Sequence, residues 1–404
     1  MSAPEIDLVA PRSYAGDQPH EQFDWLREHD PVHWHPEADG SGFWAITRHA
    51  DVRTVSRNTG TFSSSPTIML EDPNPQQQDQ MGDHQMMLMV DPPLHTAMRR
   101  FISHRFTPRA SALLSDRVDE LAAAILDEVI QDGHCDLISD VAGEMPSFVI
   151  AELLGIPLAD GRNLYRHTEA LHSAKDAIAP GAKADAYQAM FDYSQRVWAD
   201  KQAHPSDDLS SLLVHGEIAG RALDPIDFFL WFLLLIDAGG DTTRNLVGGG
   251  MWALLAHPDQ LELLRSDPEG LLPSAVEELL RWVSPVVYMR RTVTRRTRLG
   301  EQTIEAGDKV AVFYGAANRD PDVFDDPHRM DLTRNPNPHL AFGGGGPHLC
   351  LGAHLARIEI TALLRQILTR LDGLALDGPV EWMASNFIYG PTTLPVRFAP
   401  AAPA

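Results

Sequence analysis

The chain has 404 residues, 44% hydrophobic and 22% charged, a composition that excludes disordered, collagen-like and disulfide-knotted classes. Its 33 Lys and Arg against 56 Asp and Glu leave a net charge of −23, which argues against nucleic acid and anionic membrane surfaces as partners. Two cysteines, Cys135 and Cys350, are too few for a disulfide framework and suit a reducing compartment.

From Met1 to Pro11 no basic stretch leads into an apolar run, so no secretory signal is expected. The longest apolar run, Phe228–Ile236, has nine residues, too few to span a bilayer. Gly and Pro are spread along the chain and no internal repeat is visible, so residues 1–404 read as one domain. A cytoplasmic monomer is the expectation. Val32–Trp34 and Gly42–Thr47 suit a short hairpin, and Asp51–Asn58 a helix. Residues 61–93 follow, with five Met among many Gln, Asp and Pro. A loop this long is usually functional or mobile, here a mobile substrate-access loop. Its methionines suit an adaptable apolar lining, with a disordered surface excursion as the alternative.

Apolar residues at three- and four-residue intervals then predict helices over Leu94–Phe106, Ser111–Gln131, Pro146–Leu154 and Ala184–His204. Asp224-Pro225 opens the most informative helix, because Asp is a good N-cap, Pro suits the first turn, and nothing interrupts residues 225–257. Its middle is apolar all round and so buried. A helix over Ser274–Trp282 and strands over Arg291–Leu299, Lys309–Tyr314 and Leu394–Phe398 complete a fold that is mainly α with small β-sheets.

Inside the central helix stands Ala238-Gly239-Gly240-Asp241-Thr242-Thr243. Two glycines in a helix interior cost roughly 1 kcal/mol each relative to Ala, which invites a bend or the close approach of something bulky. One reading is a groove where a ligand meets loosened backbone, with Asp241 and Thr242 moving protons. The other is glycine-mediated helix packing, with Thr bonding back to the preceding turn. Glu278 and Arg281, three apart on a helix, read by frequency as an ordinary exposed ion pair.

The most telling stretch is residues 341–357, Ala341-Phe342 followed by four glycines, Pro347-His348-Leu349-Cys350-Leu351-Gly352, and a helix through Ala356 and Arg357. Cys350 lies at the start of that helix, where free N–H groups and the positive dipole end favour a thiolate, a soft ligand for iron. No Gly-Lys-Ser/Thr follows, as a phosphate loop requires, and no second cysteine is near enough in sequence for a zinc pair. A buried structural cysteine is the alternative.

Taken together, these motifs resemble those of bacterial soluble cytochromes P450, haem-thiolate monooxygenases, over essentially the whole chain and in the family's order. The resemblance implies the P450 fold, a single triangular-prism-like domain around a long central helix, with haem b as cofactor and O2 as co-substrate. It implies Cys350 as the axial iron ligand, with Phe342, Gly343, Gly352 and Ala356 around it. Ala238 and Gly239 would border the oxygen-binding groove, with Thr242 and Asp241 as proton-delivery residues. Glu278 and Arg281 resemble the family's buried Glu-x-x-Arg pair, joined by Arg334 from the Asn318–Arg334 segment, which replaces the exposed-pair reading.

The haem propionates would be held by His95, Arg99, Arg291 and His348. His95 and Arg99 also face one way by their spacing of four, while Arg290 competes with Arg291 for the role. Phe342 stands eight residues before Cys350, where the family usually has Phe at seven, and Gly343 takes that place. Actinobacterial P450s acting on sterols and branched lipids share this longer loop and the Arg334-Asn335-Pro336-Asn337-Pro338-His339 lead-in.

Candidate substrate-pocket residues are Met86 and Met87 of the 67–90 loop, Leu234, Leu235, Val286, Val287, Tyr288, Phe387 and Ile388. They are nearly all apolar and point to a hydrophobic small molecule, a steroid or terpenoid ahead of a fatty acid. Trp231 and Phe232 are ordinary core or pocket residues, and Tyr288 and Asn386 are candidates to orient a polar group. No flavin or ferredoxin domain follows Phe398, so electrons would come from a ferredoxin and ferredoxin reductase. Arg99, Arg100, Arg105 and Arg109 would either guide their docking or serve propionates and surface ion pairs. Hydroxylation of an unactivated C–H bond is the expected reaction. The alternatives are oxidative coupling, epoxidation or rearrangement in natural-product biosynthesis, and a catalytically silent lipid-binding protein.

Overall fold

The computed structural model describes residues 4–74, 82–172 and 178–400. Residues 75–81 of the expected access loop, Met81 among them, lie outside the described residues. Among the described residues helices dominate, with five small sheets beside them, in the mainly α arrangement expected. The longest element is the central helix, Pro225–Ala256, whose 32 residues reach roughly 48 Å at the α-helical rise. Its start is fixed locally. The Asp224 carboxylate accepts from the Ile226 and Asp227 N–H groups, and the Asp227 carboxylate accepts from the Asp224 N–H. Phe228–Ile236 is buried throughout, and the helices Glu144–Leu154, Leu158–His172, Ala182–Ala203, Pro268–Val283 and Ala353–Arg370 all pack on the central helix. Gly249 permits one of these close approaches, since a Cβ there would lie 3.0 Å from the Val283 side chain.

The largest sheet runs Val32–Pro36, Gly42–Ile46, Lys309–Phe313, Tyr288–Val293 and Phe62–Ser63. Lys309–Phe313 is parallel to Gly42–Ile46, and the remaining pairs are antiparallel. A second sheet joins Ala375–Leu376, Pro395–Arg397 and His134–Asp136. A bridge between Val286 and Ile388 brings a late turn against the segment that enters Tyr288–Val293. No single helix among the described residues is long and apolar enough to cross a membrane.

Several expected boundaries move. Ser111–Gln131 divides into Pro108–Ala112 and Ser115–Val129, because Thr107 caps a separate short turn by accepting from the Ala110 N–H. The Ser274–Trp282 helix begins at Pro268, behind the Asp267 cap, with Pro273 carried inside it. Arg291–Leu299 is two strands, Tyr288–Val293 and Thr297–Leu299, the second turning at Gly300 into Gln302–Ile304. The 61–93 segment is not wholly irregular, since Phe62–Ser63 closes the sheet edge and Met87–Met89 forms a 3-10 turn. The helices His20–His29, Leu158–His172, Leu209–Val214 and Pro258–Ser266 were not foreseen. Their apolar positions are short or interrupted by polar residues, and tertiary packing supplies the rest.

Candidate active site

One cavity gathers most of the candidate residues. It encloses about 1810 Å³ of atom-free space including its mouth, and all the expected haem contacts line it: His95, Arg99, Ala238, Gly239, Arg291, Phe342, Gly343, His348, Cys350, Gly352 and Ala356. The cysteine loop is shaped by its own backbone. Gly343 N–H donates to Leu340 O at 2.8 Å, and Cys350 N–H donates to Phe342 O at 2.9 Å. Gly343 and Gly346 sit at φ +103° and +81°, a region open to glycine and costly for other residues. Gly344 is required by closeness instead, because a Cβ there would overlap the Ser56 side chain and lie 3.0 Å from Val52 O. The loop is thereby docked on the helix His49–Arg57. Phe342, one residue earlier than usual, keeps a packing role, with the Arg357 guanidinium 4.5 Å from its ring centre.

Cys350 is exposed, and that exposed surface is cavity wall enclosed by protein. Burial pushes its thiol up, against the opposing pull of the Gly352 N–H, Arg99 and Arg357. The helix start does favour the thiolate, through the Gly352 N–H, and burial outweighs it. Cys135 is the weaker ligand, buried in a strand and pushed up to about 12 by burial, Asp140 and Asp136.

Beside Cys350 lies a group of basic side chains. The rings of His95 and His348 stand 4.0 Å apart between centres. Both ring nitrogens of His95 and the Nε of Arg291 are buried without hydrogen-bond partners. His348 is pushed down to about 3 by burial and by Arg291, His95 and Arg99, while burial and Arg99 lower His95. Such mutual repulsion in a buried place suits an anionic guest, and the two carboxylates of haem meet that need. A soft sulfur ligand, a glycine-lined wall and this group of basic side chains fit haem. Arg290 is not a rival for Arg291, since its side chain turns to Met69 O, Leu70 O and Asp72.

Glu278 and Arg281 are fully buried, so the exposed-pair reading is corrected. Arg281 donates to both Glu278 oxygens at 2.8 Å and to the carbonyls of Asn318 and Pro327 at 2.9 and 2.8 Å. Glu278 also receives Arg334 Nε at 3.2 Å, Asn337 Nδ2 at 3.0 Å and the Asp331 N–H at 2.9 Å. Asn318 carries the network to the cysteine loop by accepting from the Leu340 N–H at 2.7 Å.

On the central helix both readings of the glycine pair hold, one residue apart. A Cβ on Gly240 would press within 2.8 Å of the Tyr165 ring, which is close helix packing, whereas Gly239 faces the cavity with only Ile150 near, at 3.7 Å. Thr242 lines the cavity and its hydroxyl donates back to Ala238 O at 3.1 Å. Asp241 is buried, with Thr168 Oγ1 at 3.2 Å, His172 Nε2 at 3.5 Å and Arg244 at 3.6 Å. These described partners are interior groups.

Of the expected pocket walls, Met87, Leu234, Leu235, Val286, Phe387 and Ile388 line the cavity, and Met86, Val287 and Tyr288 do not. Val287 and Tyr288 are buried in the core, with the Tyr288 hydroxyl accepting from the Leu70 N–H. Trp231 and Phe232 are core, and Asn386 donates to Val9 O, away from the cavity. Ile68 and Leu88 of the 67–90 loop also line it, and sequence reasoning missed Met289, Tyr314, His172, Asp237 and Glu359. Glu359 shares a helix face with Leu355 and Ala356, and burial pushes it up to about 8. An acid in that apolar stripe was the available signal. Among the four candidate docking arginines, Arg99 lines the cavity and Arg105 pairs with Asp207, which leaves Arg100 and Arg109 exposed.

A family model described as Cytochrome P450 matches residues 270–384. The chain is 38% identical over 390 residues to a methyl-branched lipid omega-hydroxylase of Mycobacterium tuberculosis, covering 93% of this chain and 90% of that protein. It is 34% identical over 409 residues to a steroid C26-monooxygenase of Mycolicibacterium smegmatis, covering 100% and 98%. A solved Mycobacterium marinum cytochrome P450 in complex with pseudoionone superposes with a TM-score of 0.91 at 34% identity, covering 98% of this chain and 99% of that one.

Proposed function

The chain belongs to the cytochrome P450 family, whose monooxygenases use haem b and O2, and from that premise we propose that it hydroxylates a steroid, terpenoid or branched lipid with electrons from a ferredoxin and its reductase. Haem, when bound, supplies activation of O2 and insertion of one oxygen atom into a C–H bond. Cys350 would hold the iron, Arg99 and Arg291 would offset the propionate charge, and His95 and His348 would hydrogen-bond the propionates. The Thr242 hydroxyl, once turned from Ala238 O, holds a water and passes a proton into the cavity, and the Asp241 carboxylate replenishes it through the interior group that includes His172. The apolar walls bind the substrate and keep bulk water out.

A hydrophobic substrate is supported by walls such as Leu234, Leu235, Val286 and Phe387, and by relatives whose names specify methyl-branched lipids and steroids. A ferredoxin partner is supported by Arg100, Arg109 and the 80%-exposed Leu113, close to the cysteine helix on which Pro108–Ala112 packs.

The single observation that carries the reading is Cys350 on the same apolar cavity as four basic side chains with unmet buried polar atoms among them. The test is the reduced carbonyl spectrum of the purified protein: the red-shifted band of sulfur coordination is expected, and its absence overturns the reading. Turnover in labelled O2 then separates hydroxylation, which adds one labelled oxygen, from ring coupling or rearrangement, which adds none. Thr242→Ala is expected to lower product formed per reducing equivalent roughly tenfold, and intact coupling would remove Thr242 from proton delivery.

A further inference from the structure

Away from the cysteine and the basic side chains beside it, the cavity wall is largely apolar, and one ionic cluster stands in it. His172 ends the helix Leu158–His172, and Asp237 and Asp241 lie one turn apart on the central helix, and all three line the cavity. His172 Nε2 is 2.7 Å from Asp237 Oδ1 and 3.5 Å from Asp241 Oδ2. Both carboxylates approach the same nitrogen, and no described residue forms a hydrogen bond with Nδ1. The ring lies 5.9 Å from that of Phe387, itself a cavity wall on the turn bridged to Val286.

We propose that His172 is a specificity-determining residue whose Nδ1–H donates to a neutral oxygen acceptor, a ketone or hydroxyl, on an otherwise hydrophobic substrate. The proposal rests on the monooxygenase reading and adds to it the end of the substrate that is held. Two physical arguments carry it. An imidazole fixed through Nε2 by two acids presents its other N–H in a set direction, and a buried donor left unpaired costs about 1–3 kcal/mol. A ligand oxygen recovers that cost, whereas a hydrocarbon of the same shape leaves it in place. The charge state agrees: burial disfavours the imidazolium, but Asp237 and Asp241 outweigh it and push His172 up to about 9. The acceptor is neutral because Asp237 and Asp241 already stand against His172, and Arg244 is 3.6 Å from Asp241. A ligand carboxylate would be repelled by both acids.

The experiment compares 5α-androstan-3-one with 5α-androstane, and β-ionone with its deoxygenated parent hydrocarbon, on the haem-loaded protein. Affinities come from the visible spectral shift and independently from calorimetry. In the wild type at least one ketone is expected to bind about tenfold to a hundredfold tighter than its hydrocarbon. His172→Phe should abolish that ratio while retaining hydrocarbon binding, and Asp237→Asn, a milder change, should narrow it. Equal affinity within both pairs, failure of both ketones to bind, or a ratio unchanged in His172→Phe each overturns the assignment. Loss of the monooxygenase reading would show separately, as absence of the red-shifted carbonyl band, and calorimetry reads the ratio either way.

Discussion

Behind Cys350 a dense set of hydrogen bonds ties side chains to backbone, and in front of it most of the wall is apolar. The Glu278–Arg281 network and the glycine loop are held by backbone carbonyls and N–H groups that arrive from residues 318–340. In front, the wall is made of side chains such as Leu234, Val286 and Phe387, with the His172 group as its main ionic feature. The rear geometry is thus set by many directional bonds that fix one arrangement, and the front by packing that tolerates different guests. Disturbing the rear should cost folding and haem retention, and disturbing the front should change what binds and how fast.

The largest effect is expected at Glu278. Glu278→Gln leaves Arg281 buried with its charge unmatched, a loss of about 3–5 kcal/mol. The expected outcome is a collapse in the yield of haem-loaded protein, read from the carbonyl band per mole of polypeptide. Near-normal yield and melting temperature would mean that the rear is not held as described. Gly344→Ala comes next, at about 1–3 kcal/mol, through overlap with Ser56 and Val52 O. Ser56→Gly in the same chain should restore part of the melting temperature, because it removes one of the two obstacles.

The two sides also differ in how much the sequence discloses. Cys350, Gly343 and His348 are neighbours in the chain, so their chemistry could be read directly, and a spacing of four joins His95 to Arg99. Glu278 and Arg281 were visible as a pair, but their burial comes from residues 318–337 folding over them, which no local pattern announces. His172 is 65 residues from Asp237 and ends a helix rich in polar residues, so nothing nearby marks it as a cavity wall. Val287 and Tyr288 were misplaced for a different reason: alternation and bulk predict which strand residues are buried, not whether core or cavity receives them.

At the front, pH sharpens the contrast. His172 has a raised pKa in the folded protein, so its ion group adds stability that is fully present below the ordinary imidazole value of 6.5 and is lost as pH rises through about 9. The wild type should exceed His172→Phe by roughly 1–3 kcal/mol near pH 6, and the gap should close by about pH 10. The Gly344→Ala deficit, being steric, should stay level over the same range. Parallel curves for both variants in thermal unfolding would show that His172 is not held as an imidazolium.

The smallest effect on stability, and the most selective, is expected at His84. Its Nδ1 lies 2.9 Å from Asp227 Oδ1 and its Nε2 3.6 Å from Asp224 Oδ2, so it ties the segment leading to Met87 and Leu88 onto the first turn of the central helix. Asp227 does not depend on it, because Arg221 donates to both its oxygens at 2.6 and 2.7 Å and the Asp224 N–H donates at 3.2 Å. His84→Ala therefore leaves the helix cap intact and should cost about 0.5–1 kcal/mol at most. What it removes is a tether on a wall of the cavity. Ligand entry and exit should both quicken severalfold with affinity nearly unchanged, as read by stopped-flow recording of the spectral shift. Unchanged rates would mean that Met87 and Leu88 are held by their own packing, and that the front is less yielding than its sparse hydrogen bonding implies.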